Sequence, residues 1–417
     1  MAITDKKQGV WDTEEVYNKQ NEGVWGYSSA GAGKALWGWG YNVNGQLGLN
    51  STTQYKSPVQ VGTDTTWASL QGTGNGTTLA IKSDGTLWAW GKDTSGCLGL
   101  NEAPTPTSRY SSPTQVGTNS NWRSLGSIAQ DSFYATKFDG TLWAWGANEF
   151  GALGLNQNDV HCSSPTQVGT DTSWNIINHG SARQTDLSLA IKNDGSLWAW
   201  GRGQYGSFGG NKSNYSSPAQ IGTDITWKSF STSWYSVAAT KTDGTLWTWG
   251  INATGELGLN QNTSPANAGK SSPTQVGTDT TWDTIASSTY NSFLALKTDG
   301  SLWAWGDNVA PSSRVGWLGV GDIVQRSSPT QVLGGTGWSD TVAGGYYSAG
   351  AIKTDGTLWT WGDNEYGDLG QNTTANARRS SPVQVGSNWY PRTSVDPHYV
   401  QTITHNSFGM MALRTPS

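Results

Sequence analysis

The carboxylates of this chain fall into a repeat before they fall into a site. Asp84, Asp139, Asp194, Asp243, Asp299 and Asp355 each precede a glycine. Acids at a fixed spacing could serve as general acids or metal ligands. Asp-Gly between two apolar runs is turn chemistry instead, because the glycine supplies the positive φ of a tight hairpin. The histidines His161, His179, His398 and His405, with Cys97 and Cys162, complete the set of ligand and nucleophile types. His161 and Cys162 are neighbours, but no second His or Cys falls at the spacing of a zinc site. No metal and no cofactor is expected. Cys97 stands at a turn position that Gln46 holds in the first unit, and Cys162 lies in a variable loop, so no disulfide is expected. There is no Gly-x-Ser-x-Gly, phosphate loop or His-Glu-x-x-His. Gly201-Arg202-Gly203 follows Trp200 in a turn and opens no helix, which excludes a dinucleotide loop. The residues read as those of a non-enzyme.

The elements behind these turns carry the stronger signal. Leu-Trp-x-Trp-Gly begins at Leu36, Leu87, Leu142, Leu197, Leu246, Leu302 and Leu358, every 49 to 56 residues. A period of this length built from alternating apolar residues marks a radial array of small sheets. Within one unit, Thr78-Leu79-Ala80-Ile81-Lys82 is a buried strand, Asp84-Gly85 a turn, and Thr86-Leu87-Trp88-Ala89-Trp90 the return strand. Ser112-Pro113-Thr114-Gln115 is a short outer strand, where proline loses no ladder bond. A third tryptophan, Trp122, opens the next unit. The expected fold is all-β, a seven-bladed propeller of about four strands per blade. Three tryptophans per unit account for 21 of the 25, and their expected role is packing between blades. Trp11, Trp25, Trp234 and Trp317 lie outside the pattern.

The first Leu-Trp-Gly-Trp-Gly lacks a preceding strand and an Asp-Gly turn. The missing strand stands at the other end, where Phe408-Gly409-Met410-Met411-Ala412-Leu413-Arg414 matches the phase of Ser292-Phe293-Leu294-Ala295-Leu296-Lys297. The C-terminal strand is therefore expected to pair with residues 35–39 and close the ring. Domain organisation reads as an anchoring arm over 1–30 and a propeller over 31–417.

Composition narrows the partners. Net charge is −5, only 13% of residues are charged, and there is no basic block, which argues against nucleic acid. No apolar run reaches the ~20 residues that span a bilayer, so membrane insertion is not expected. The polar N-terminus has no secretory apolar region.

Trp39-Gly40-Tyr41-Asn42-Val43-Asn44-Gly45-Gln46-Leu47-Gly48, with further copies at 145–154, 249–258 and 361–370, resembles the signature of the regulator of chromosome condensation family. That resemblance implies a seven-bladed propeller, a rigid disc that presents loops to protein partners. The place where the family often has histidine holds Asp131, Tyr235, Asn291, Tyr347 or Asn406. A second segment, Gly9-Val10-Trp11 through Val24-Trp25, is similar to an element near the start of marine phage structural proteins. This resemblance implies a bacteriophage virion protein, a fibre, decoration or tail-associated component. The alternative is a bacterial interaction module, such as an inhibitor or scaffold, in the cytoplasm or outside the cell without a classical signal. Expected partners are other virion proteins, a host-surface receptor and further copies of the chain.

Two sets of contact residues follow. Trp11, Tyr17 and Trp25 anchor the arm, since interface energy concentrates in buried aromatics. The variable stretches 51–56, 102–110, 157–162, 212–215, 261–270, 322–326 and 373–379 occupy one place in every blade and should gather on one side. Their aromatic and cationic groups are Tyr55, Arg109, Tyr110, His161, Tyr215, Arg326, Arg378 and Arg379, with Trp317 added from the interrupted sixth unit.

Overall fold

The computed structural model describes residues 34–73, 75–103, 105, 107–128, 131–177, 186–204, 206–209, 214–261, 269–309, 316–373, 377–389, 403–406 and 409–414. The arm, with Trp11, Tyr17 and Trp25, lies outside the described residues. The described part forms seven four-stranded antiparallel sheets. Blade 2 shows the plan: Trp67–Gly72 innermost, then Thr77–Lys82, Leu87–Lys92 and Arg109–Gln115 at the rim. Blade 1 is assembled from both ends of the propeller, with Ala35–Gly40 and Tyr55–Gln60 joined to Ile403–Asn406 and Gly409–Arg414. Leu36 pairs with Leu413 and Trp39 with Met410, the register expected for ring closure.

The turn chemistry is as the sequence dictates. Gly85 adopts φ +78°. The Asp84 carboxylate accepts the backbone N–H of Thr86 at 2.9 Å and its hydroxyl at 2.7 Å. The same hydroxyl accepts the Trp88 indole N–H at 2.9 Å. These six acids are turn braces.

The two tryptophans of the motif do different jobs, a refinement of the expected shared packing role. The second crosses between blades. Trp90 donates to the Gln46 carbonyl of blade 1, Trp145 to Cys97, Trp200 to Ala152, Trp249 to Ser207, Trp305 to Glu256 and Trp361 to Trp317, all at 2.8–3.0 Å. Trp39 completes the circle by donating to Asp368 of blade 7 at 2.9 Å. The accepting residue is the variable one of Gly-x-Leu-Gly, with Phe208 in place of the leucine in blade 4. Burying a tryptophan while satisfying its N–H gains apolar burial without an unpaired donor. The first tryptophan stays in its own blade and stands half-buried beside the lysine that ends the second strand. Lys82 lies 3.6 Å from the Trp88 ring centre and 4.8 Å from that of Trp67.

Candidate interaction face

An antiparallel blade sends its connections to two ends of the disc. The Asp-Gly turns and the links between blades share one end. The innermost hairpins and the loops before the rim strand share the other. The two ends differ in chemistry, and that difference locates the candidate face.

The turn end is regular and self-satisfied. The lysine between two indoles also meets an aspartate from the preceding link: Lys82–Asp64 at 2.7 Å, Lys192–Asp171, Lys241–Asp224 and Lys297–Asp279 at 2.5 Å. The Lys297 ammonium, against some burial, draws Asp279 down to about 2. Blades 3 and 7 depart from this: Lys353 of blade 7 donates to the Gly334 carbonyl at 2.7 Å, and in blade 3 Asn119 stands where those four blades have the acid. Lys137 keeps its two indoles at 3.8 and 4.7 Å, and burial pushes its pKa down.

The loop end is irregular. Among the described residues, Val43, Phe150, Val160, Val309, Ile323 and Val324 are large apolar side chains exposed there, against Phe138, Ile225 and Leu333 at the turn end. In blade 6 the amide of Asn308 donates to the carbonyls of Asp322 and Val324, which ties the loop carrying the exposed Ile323 and Val324 to the segment that carries Val309. The same end holds carboxylates drawn partly out of water. Asp131, 8% exposed, takes hydrogen bonds from Asn75 and Thr94 on one oxygen while its other oxygen is buried without a partner. Burial holds its pKa up at about 6, and Asp186 is likewise raised to about 6 by burial and by Glu149.

The residues expected on the loops lie at this end, but they do not form one cluster. Arg109 reaches the Val43 carbonyl of blade 1 at 3.4 Å. The Tyr110 hydroxyl donates to Glu102, which lifts its pKa to about 12. His161 accepts the backbone N–H of Asn148 through Nδ1 at 3.1 Å. Arg326 pairs with Asp322, and Arg378 donates to the buried Asp363 at 3.1 Å. Arg379 is exposed and donates to the Arg378 carbonyl at 3.2 Å. Tyr55 and Tyr215 are half-buried and pack on core clusters. Most of these groups therefore brace their own loops and offer only part of their surface.

Trp317 is a correction. It was expected as an exposed contact, and it is fully buried against Leu318, Tyr347 and Tyr290. The reason is its frame. Gly316-Trp317-Leu318-Gly319 is the same turn as Gly45-Gln46-Leu47-Gly48, whose variable side chain points into the next blade.

The RCC1 (regulator of chromosome condensation) repeat matches residues 35–81, 84–127, 139–178 and 355–393. The chain is an RCC1-repeat propeller. This RCC1-repeat chain is 27% identical over 370 residues to the human (Homo sapiens) E3 ubiquitin-protein ligase HERC2, covering 84% of this chain and 7% of HERC2. It is 27% identical over 327 residues to the mitochondrial RCC1 domain-containing protein RUG3 of Arabidopsis thaliana, covering 72% of this chain and 70% of RUG3. The crystal structure of Prp20p from Saccharomyces cerevisiae superposes with a TM-score of 0.73 at 19% identity, over 93% of each chain. That likeness establishes a shared fold. Prp20p itself has binding properties toward Gsp1p and histones. The propeller thus repeats its packing and turn residues from blade to blade, with local departures, and carries individual loops at one end.

Proposed function

We propose that this RCC1-repeat propeller is a protein-binding or receptor-binding head in a bacteriophage virion, carried as a fibre, decoration or tail-associated component. The observation that carries the binding role is the contrast between the two ends of the disc. The turn end repeats one paired lysine in four blades, whereas the loop end carries six of the nine exposed large apolar side chains among the described residues. The virion assignment rests on the N-terminal sequence Gly9-Val10-Trp11 through Val24-Trp25, with Trp11, Tyr17 and Trp25 as anchors to other virion proteins. A host-surface receptor is then the partner of the propeller.

Deleting residues 1–30 tests the anchoring role. The truncated chain should remain soluble and folded by circular dichroism yet be missing from purified particles. Incorporation at the normal level refutes the arm's role. A full-length chain found in host lysate and never in particles refutes the virion assignment and supports an inhibitor or scaffold.

A further inference from the structure

One arrangement at the loop end is not explained by core packing, although the positive φ of Phe150 recurs at Ser95, its small counterpart in blade 2. Phe150 sits at φ +56° and Trp234 at φ +26°. Left-handed backbone is strained for any bulky L residue, and strain of this kind concentrates at functional sites. Phe150 precedes Gly151 in the third-blade turn. Trp234 follows Ser233 and precedes Tyr235 in the two-residue turn of the fifth blade's inner hairpin, where glycine is the usual occupant. Neither ring is used to fill the core: Phe150 is 37% exposed and Trp234 is half-buried.

Arg202 of blade 4 stands between them. Its guanidinium carbon lies 4.4 Å from the Phe150 ring centre and 5.8 Å from that of Tyr235. Tyr235 lies 5.5 Å from Trp234 with 34° between their planes. Four side chains from three blades thus form a continuous ladder. The Arg202 side chain makes no hydrogen bond among the described residues, and its buried Nε has no partner. Glu149, next to Phe150 in sequence, and Asp186, whose carbonyl accepts the Arg202 backbone N–H at 2.7 Å, set carboxylates beside the ladder.

We propose that Phe150, Arg202, Tyr235 and Trp234 form a docking site for a neutral oligosaccharide, with Asp186 and Glu149 as acceptors. A sugar ring presents weakly positive C–H bonds to the negative face of an aromatic ring, and its hydroxyls both donate and accept. The guanidinium supplies N–H donors in a fixed fork, and the carboxylates accept. An anionic ligand meets Glu149 and Asp186, and a cationic one meets Arg202. A neutral polyol uses both kinds of group. This deepens the receptor-binding role proposed above and rests on it.

The test is an array carrying neutral, uronic-acid and sulfated oligosaccharides beside acidic and basic peptides, probed with the full chain. Neutral saccharides should be retained. Phe150→Gly and Trp234→Gly should each weaken that binding roughly tenfold, and Arg202→Ala should weaken it similarly. Because glycine relieves the left-handed strain, the two glycine variants should melt at the same temperature as the parent or higher. A chain that binds no neutral saccharide, or binds only peptides, overturns the proposal. So does unchanged binding in all three variants. Melting well below the parent in both glycine variants would make these rings packing groups and overturn it too. Incorporation of the same variants into particles, read separately, reports on the virion assignment alone.

Discussion

Blade 3, whose lysine has no aspartate from the preceding link, offers a direct measure of the lysine sandwich. Asn119→Asp should supply Lys137 with the partner that Lys82, Lys192, Lys241 and Lys297 already have. In blade 6 the pairing draws Asp279 to about 2 from an ordinary 3.8. Taken whole, a shift of that size corresponds to about 2.5 kcal/mol. The Asp279 side chain is 38% exposed, however, so solvent screening and side-chain ordering remove most of it. The expected gain is about 0.5–1 kcal/mol at pH 7, read as a rise of about 1–2 °C in melting temperature for a chain of this size. The sign with pH is fixed. A carboxylate whose folded pKa is depressed stabilises fully above its unfolded value near 4 and loses that contribution as pH falls toward 2. The gain should therefore hold at pH 7 and pH 5, shrink at pH 3, and weaken in 1 M salt. In a Lys137→Met background Asn119→Asp should add nothing. A gain of equal size in that background, or no gain with Lys137 present, refutes the view that Lys137 is an under-compensated copy of its counterparts.

Other outcomes follow from the same geometry. Trp317→Ala should cost about 3–5 kcal/mol in denaturant unfolding, because it empties a closed space between blades 6 and 7. Gly146→Ala should cost more than ~3 kcal/mol, since its φ is +96° and a Cβ there would lie 1.9 Å from the Asp131 carbonyl oxygen. Asp131→Asn should raise stability by about 1–2 kcal/mol at pH 8 and leave it unchanged below about pH 3. The sign follows from a folded pKa raised to about 6: the ionised form is penalised, and the penalty vanishes once both folded and unfolded forms are protonated. Arg379→Glu should leave the melting temperature within a degree, whereas Arg378→Glu should lower it, because Arg378 faces the buried Asp363 carboxylate; differential scanning calorimetry separates the two.

Much of this was legible in the chain because the determinants are local and repeated. Asp-Gly turns, the tryptophan triplets and the surplus strand ending in Arg414 each specify their own surroundings, and the structure places them as read. What escaped the sequence is contact between blades. Trp317 looked free because residues 309–315 interrupt the motif, although its Gly-x-Leu-Gly frame matched the buried Gln46 and Cys97. Trp234 stood out as a tryptophan off the pattern, but nothing in the sequence brought it toward Arg202 and Phe150, which lie on other blades. The charge balance of the loops was misjudged for a similar reason. Arg326 and Arg378 read as display groups, while acids four and fifteen positions upstream, Asp322 and Asp363, hold them.

The circle of indole-to-carbonyl bonds has a consequence for how the chain can be cut. Each blade grips its predecessor in one direction, as subunits do in a cyclic assembly with head-to-tail interfaces. The grip between blades 7 and 1, Trp39 on Asp368, is of the same kind as the other six. The seam is therefore a property of chain connectivity rather than of blade contacts. Joining the propeller's own ends and reopening it within any inter-blade link preserves every such bond. A permuted chain would move the opening from blade 1 to another blade without altering the wheel.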